Sequence, residues 1–252
     1  MWKEYFIYAI ENTSLASGTG VTFTDTSIKI DADAHFELLK RSHFATDSRI
    51  YATFKSDAAG RYYQNEKLDL RNISADHKST ATILFFEPYV LSVPTILAAG
   101  SNYTASFSDF SGSSNSIRLA LHGTKLREGN APWEKHWREE LSFDYSKTTT
   151  ISANQTVSFN IPIDVDAHFI VKKITGTFSG EVLVLIQDVA TGKQWMNVPI
   201  HGNNILGSGI YPNVLPAPRF IYKGSTINIQ VQDLSGASNT LSIVIHGKKL
   251  FE

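Results

Sequence analysis

The sequence predicts an all-β chain of two tandem homologous β-sandwich domains, with jelly-roll and immunoglobulin-like topologies both open. Three observations carry this. An internal duplication spans most of the 252 residues. Apolar side chains alternate with polar ones at period two. Gly, Asn, Asp and Ser punctuate the alternating runs.

The duplication is clearest near the end of each copy. Residues 109–126 read DFSGSSNSIRLALHGTKL and residues 233–250 read DLSGASNTLSIVIHGKKL, identical at 9 of 18 positions. Four of the nine mismatches exchange one aliphatic side chain for another. Other landmarks recur in the same order. Asp31-Ala-Asp-Ala-His-Phe36 returns as Asp164-Val-Asp-Ala-His-Phe169, and Gly60-Arg-Tyr-Tyr-Gln-Asn65 as Gly192-Lys-Gln-Trp-Met-Asn197. Pro88, Pro94 and Gly100 align with Pro212, Pro218 and Gly224. Trp2-Lys3-Glu4 has an echo in Trp137-Arg138-Glu139. The paired histidines stand 87 residues apart in the first copy (His35 to His122) and 78 in the second (His168 to His246), which places an insertion around residues 70–82.

The domain boundaries follow. Copy one covers residues 1–127 and copy two residues 137–252. Residues 128–136 form a polar linker marked by Gly129 and Pro132. Trp133 and Trp137 stand four apart, which predicts a short helix over residues 132–137.

Within a copy, alternation assigns the strands. Ile117, Leu119 and Leu121 share one face while Arg118 points away. Ile227, Ile229 and Val231 oppose Asn228, Gln230 and Gln232. In the first copy, strands are predicted near residues 4–10, 20–30, 34–40, 49–55, 62–69, 80–86, 102–109 and 116–122.

Composition narrows the function classes. Hydrophobic residues make up 42% and charged residues 19%, enough apolar surface for an ordered core. A net charge of −1 argues against a broad nucleic-acid or anionic-membrane surface, so neither partner is expected. No cysteine occurs, which fits folding in a reducing cytosol. Glu4 stands where a secretory leader would be basic, and no run approaches the roughly 18 apolar residues of a membrane helix. The sequons at Asn12, Asn72, Asn102 and Asn154 are therefore expected to stay bare.

Several residue groups are candidates for chemistry. Asp31, Asp33 and His35 share one face if extended, and so do Asp164, Asp166 and His168. Either triplet has the donors for a cation. The alternative is a polar outer face inherited by both copies, and this is the reading adopted. His122-Gly123 and His246-Gly247 end the last strand of each copy. No nucleophile elbow accompanies them, so they are read as structural histidines at a Gly turn. Glu139 and Glu140 are a carboxylate pair of the kind that hydrolyses glycosides, but on a strand they point to opposite faces. Tyr62, Tyr63 and Trp195 offer aromatic surface for a sugar. The matched Tyr63 and Trp195 are read as filling one hairpin or core site in both copies. No nucleotide-binding or zinc spacing occurs. The chain is expected to carry no catalytic, metal or cofactor site.

The hairpin of residues 188–193 (D-x-A-x-G-K), proline-marked strands and the closing S-G-x-S-N-x-[IL]-x-[LI]-x-[LI]-H-G-x-K resemble virion structural proteins of tailed bacteriophages. That resemblance implies a non-enzymatic protein made in the host cytoplasm and built into a virion. It would serve as capsid decoration, minor capsid or collar protein. Its partners would be other virion proteins and further copies of itself. Trp133, Trp137 and the 70–82 insertion are the candidate contact elements. A carbohydrate- or receptor-binding module, with a glycan as ligand, is the rival reading.

Overall fold

The computed structural model describes residues 1–15, 24–45, 49–63, 67–72, 74–76, 89–131, 137–208 and 211–252. Among these the ordered elements are strands and two single 3-10 turns. The first half supplies β1 (Trp2–Leu15), β2 (Thr24–Lys29), β3 (His35–Ala45), β4 (Ile50–Ser56), β5 (Arg61–Tyr62), β6 (Leu68–Asp69), β7 (Ala75–Asp76), β8 (Tyr89–Leu97), β9 (Asn102–Asp109) and β10 (Asn115–Arg127). The second half supplies β11 (Glu139–Ile151), β12 (Thr156–Pro162), β13 (His168–Phe178), β14 (Val182–Asp188), β15 (Lys193–Gln194), β16 (Ile200–His201), β17 (Asn213–Ile221), β18 (Thr226–Asp233) and β19 (Asn239–Phe251).

Each half forms two sheets, antiparallel except where the short β7 runs parallel to β3. In the first, β1, β10, β3 and β8 lie side by side, and β2, β9 and β4 are followed by β5 and β6. The second half repeats this as β11-β19-β13-β17 and as β12-β18-β14 followed by β15 and β16. With each short pair counted as one interrupted strand, both halves run 1-8-3-6 and 2-7-4-5. This is the jelly-roll order. An immunoglobulin-like sandwich would keep its first two strands in one sheet; here they part into two.

Alternation explains the cores. Ile227, Ile229 and Val231 on β18 are buried, as are Ile117, Leu119 and Leu121 on β10. Each such burial is worth about 1.5–3 kcal/mol. Phe36, Phe54, Tyr103 and Phe107 fill the first barrel. Phe169, Ile186, Ile229 and Ile243 fill the second.

Four expectations need correction. The sequence assigns no strand to Tyr89–Leu97. β8 forms there nonetheless, and β17 contains Pro216 and Pro218, because both strands pair through β3 or β13 on one side. A missing N–H is tolerated at such an edge. Residues 31–34 form a turn ahead of β3, so the Asp-x-Asp-x-His segments are not extended. His122 and Gly123 lie inside β10 and not at a strand end. The Trp2/Trp137 echo is out of register by two residues. Tyr8 faces Leu121 as Tyr145 faces Ile245, which aligns Trp2 with Glu139. The predicted strand at 80–86 and most of the predicted helix at 132–137, Trp133 included, fall outside the described residues. The 3-10 turn Leu70–Asn72 matches Gly202–Asn204, so the extra residues of the first half begin after it.

Candidate functional site

The two Asp-x-Asp-x-His turns share the same lysine, tyrosine and histidine contacts. Lys125 lies on β10 with Nζ over the Phe6 ring, 4.2 Å from its centre. Its ammonium reaches Asp31 Oδ2 at 2.6 Å and Asp33 Oδ1 at 3.1 Å. Lys249 repeats this over Phe143, meeting Asp164 Oδ2 at 2.7 Å and Asp166 Oδ1 at 3.1 Å. The Tyr8 hydroxyl accepts the Asp31 amide at 2.9 Å, and Tyr145 accepts that of Asp164 at 3.1 Å. His35 and His168 do not join the carboxylates. Their Nδ1 atoms accept the amides of Ala99 (3.1 Å) and Lys223 (3.2 Å), fastening the next turn. A lysine thus occupies the place that a cation would take. Burial raises the Asp33 carboxyl, but hydrogen bonds from Lys125 and Arg127 outweigh it and hold the group below its usual range. The hydrogen bond from Lys249 does the same to Asp164.

The paired His-Gly segments share one Nε2 bond and one glycine position, although His122 is buried and His246 is half-buried with its Nδ1 2.9 Å from Asp144 Oδ1. His122 Nε2 bonds the Ser42 hydroxyl at 2.8 Å, and His246 Nε2 bonds that of Thr175 at 2.8 Å. The glycine that follows sits at a bulge in the pairing of β10 with β3, or of β19 with β13. A Cβ on Gly123 would stand 2.1 Å from the Glu37 carbonyl oxygen, and one on Gly247 1.9 Å from that of Ile170. The motif is therefore a close backbone approach at a bulge that admits only glycine.

The seam between the halves was not foreseen. Tyr5, Ile7 and Ala9 on the outer face of β1, with Ala120, belong to the same buried cluster as the core of the second half. The Ile7 amide donates to the Trp195 carbonyl at 2.9 Å. Asn197 clamps the strand, its Oδ1 accepting the Ala9 amide at 2.7 Å and its Nδ2 donating to the Ala9 carbonyl at 3.2 Å. Glu4 is buried among three cations: Arg127 at 2.9 Å, Arg219 at 3.3 Å and Lys193 at 3.4 Å. Burial raises the Glu4 carboxyl, but Arg219, Lys193 and Arg127 together bring it below its ordinary value. Arg219 also donates to the Tyr5 carbonyl at 2.7 Å. A cleft of about 430 Å³ opens beside this knot, lined by Glu4, Asp33, Lys125, Arg127 and Lys193. A sequence signal for the seam exists. Residues 5–10 (Tyr-Phe-Ile-Tyr-Ala-Ile) are continuously apolar, the pattern of a strand buried on both faces, whereas residues 141–146 alternate.

The remaining candidates are dispersed. Glu139 and Glu140 are exposed on β11, and Glu140 pairs with Lys248. Trp195 is fully buried, while its counterpart Tyr63 is 39% exposed and stacks on Tyr103. Tyr62 lies exposed beside Lys55. Trp137 packs on His168 and Phe220 of the second half.

Comparison with known proteins adds no family. No family model and no curated protein matches the chain. Among solved structures, the chain resembles a protein described under the triple jelly roll fold and turret assembly of an archaeal virus. Identity is 9%, with 95% of this chain and 59% of that chain covered, at a TM-score of 0.30. The chain thus spans under two thirds of that protein's length. It also resembles VP2 of infectious bursal disease virus in a subviral particle, at 12% identity over 99% of this chain and 76% of that one, TM-score 0.24. Oxalate decarboxylase matches at 6% identity over 90% and 69%, TM-score 0.17. The chain is an all-β protein of jelly-roll type.

Proposed function

We propose that the chain is a non-enzymatic structural component of a virion, made in the host cytoplasm. It works by packing against other virion proteins and further copies of itself, as a capsid decoration, minor capsid or collar protein of a bacteriophage. Jelly rolls serve as capsid proteins, lectins and cupins, so the fold alone does not choose among them. The observation that carries the choice is the twin lysine clamp. In both halves the sharpest cluster of potential ligands is closed by a lysine of the same chain. Its chemistry is thereby directed to holding a turn rigid. The barrel interiors are filled with aromatic and aliphatic side chains, which leaves packing surfaces as the working part of the molecule.

The test is to purify particles and quantify this chain by mass spectrometry against the major coat protein. A fixed stoichiometry that survives high-salt washing is expected. Absence from particles, or a glycan ligand found on an array, would overturn the reading.

A further inference from the structure

We infer that mild acid opens the seam between the two halves while each barrel stays folded, with His201 as the trigger. On β16, Ile200 opposes Val184 and His201 opposes Leu183 of β14. Opposed residues of an antiparallel pair share a face, and neighbours along a strand alternate. Ile200 and Val184 lie in the core of the second half, so His201 points away from that core. It is nonetheless fully buried, and Phe44 of β3 covers its ring from the other half at 4.0 Å.

The ring has no place for a second proton in this position. Nδ1 accepts the Asn203 amide at 3.3 Å, so the neutral ring carries its hydrogen on Nε2. A proton added at Nδ1 would set two donors against each other. Nε2 stands 3.8 Å from Glu181 Oε2, beyond hydrogen-bond reach. Arg118 of β10 acts on the ring with like charge. Among the described residues, the same faces of the strands packed around it bring Phe44 and Ser42 from β3, Ile7 and Ala9 from β1, and Leu183 from β14, all uncharged. Lys40 lies farther along β3, opposite His122. Water is what satisfies a charged imidazole, and the way inward is closed by Ile200 and Val184. The ring reaches water by losing the Phe44 stack, which requires the halves to part.

The seam holds a second buried histidine, which differs in kind. His122 opposes Ile7 and faces outward from the first barrel beside it. Its Nε2 is bonded to the Ser42 hydroxyl, which turns from donor to acceptor as the ring requires. A proton at that nitrogen therefore costs no hydrogen bond, whereas one at His201 Nδ1 does. Linkage sets the size of the effect. Burial and Arg118 hold the His201 pKa below its ordinary value, and opening restores that value. The opening constant then grows by roughly tenfold per pH unit below about 6.5, until the pH reaches the folded value. The Glu4 knot responds only below the ordinary carboxylate range, so the two steps separate along the pH axis.

The test is amide hydrogen exchange on the full chain from pH 7.5 to 5.0, corrected for the intrinsic exchange rate at each pH. The Ile7 amide, bonded to the Trp195 carbonyl, and the Ala9 amide, bonded to Asn197 Oδ1, report on the seam. Ala105 on β9 and Ile229 on β18, in strands paired on both sides, report on the two barrels. Protection at Ile7 and Ala9 should fall by roughly tenfold per pH unit below about 6.5, while Ala105 and Ile229 keep theirs. His201→Gln should flatten the fall. Glu181→Gln leaves the ring in place and removes the carboxylate that favours its charged form, so the fall should continue to a lower pH before levelling. Constant protection at Ile7 and Ala9 in wild type overturns the inference, as does a loss shared equally by Ala105 and Ile229. So does an unchanged slope in His201→Gln, or a fall that levels earlier in Glu181→Gln.

Discussion

Phe44 of the first jelly roll stacks on His201 of the second, with ring centres 4.0 Å apart and planes 12° from parallel. His201 is fully buried, and its Nδ1 accepts the Asn203 amide at 3.3 Å. That nitrogen therefore carries no proton, and protonation would break the bond. Burial lowers the His201 pKa, and Arg118 lowers it further, against the opposing pull of Glu181 at 3.8 Å.

The consequence is acid sensitivity at the seam. With its folded pKa depressed, His201 binds fewer protons in the native than in the unfolded state. Stability then falls as pH drops below about 6.5, the ordinary histidine value, and levels off below the folded pKa. Glu4 and Asp33, whose carboxyls are lowered, add a second loss. It begins below the ordinary carboxylate range of about 4 and is complete below their folded values. Melting temperature measured from pH 8 to 3 should thus decline in two stages, and His201→Gln should remove the upper one. A flat profile between pH 7 and 5 in wild type would refute the assignment.

The close approaches at the two glycines set a second expectation. Gly123→Ala forces the new methyl into the Glu37 carbonyl, and Gly247→Ala forces it into that of Ile170. Neither obstacle is the flexible tip of a side chain, so the strands must part. A cost of about 2–4 kcal/mol is expected from each, somewhat above ordinary overpacking. Urea denaturation should show both, with similar size because the environments match. Wild-type stability in either variant would mean that the approach is looser than described.

The lysine clamps set a third. The Lys125 side chain is 6% exposed, while those of Asp31 and Asp33 are 48% and 46% exposed. Removing the lysine leaves two carboxylates that water can reach. Removing the carboxylates leaves a buried ammonium. Asp31→Asn with Asp33→Asn should therefore cost more (about 3 kcal/mol) than Lys125→Met (about 1 kcal/mol), by the penalty for an uncompensated buried charge. The Lys249 clamp should show the same asymmetry. Millimolar Ca²⁺ should leave the wild-type melting temperature unchanged, and a calcium-dependent rise would reopen the cation reading.

These sites mark what the sequence could and could not reveal. Asp31, Asp33, His122 and Gly123 stand out because their twins recur, and recurrence marks positions where geometry limits the side chain. Their roles were hidden because the partner of each is distant in the chain. Lys125 is 94 residues from Asp31, and only sheet register brings them together. The turn at residues 31–34 falls at the gap between the strands predicted at 20–30 and 34–40, and the period-two spacing of its aspartates puts them on one face only in an extended segment, which this is not. β8 lies outside the predicted strands because its run, YVLSVPTIL, keeps no period-two alternation along its length. The seam involves residues that differ between the copies, so a search for repeats passes over them. Glu4 is matched by Leu141 and Arg219 by Thr95, and what the copies do not share is what joins them.

Glu4 gives the seam its sharpest test. Its side chain is 7% exposed and that of Arg219 4% exposed. Both lie where the halves meet, and Arg127 and Lys193 complete the knot. Glu4→Gln keeps the shape and a hydrogen-bonding oxygen but removes the only acidic side chain paired with Arg219 among the described residues. The guanidinium then remains buried with neutral acceptors, Tyr5 and Gln194 carbonyls. An expected loss of about 2–4 kcal/mol follows, because breaking one side of a buried pair strands the other charge. The loss should fall on the coupling between the halves, since neither barrel interior contains Glu4. Urea unfolding of Glu4→Gln should therefore split toward two transitions where wild type shows fewer. Limited proteolysis should cut more readily in the linker between Arg127 and Trp137. If Glu4→Gln instead unfolds like wild type, the ion knot is dispensable and apolar burial by Tyr5, Ile7 and Trp195 alone holds the halves together.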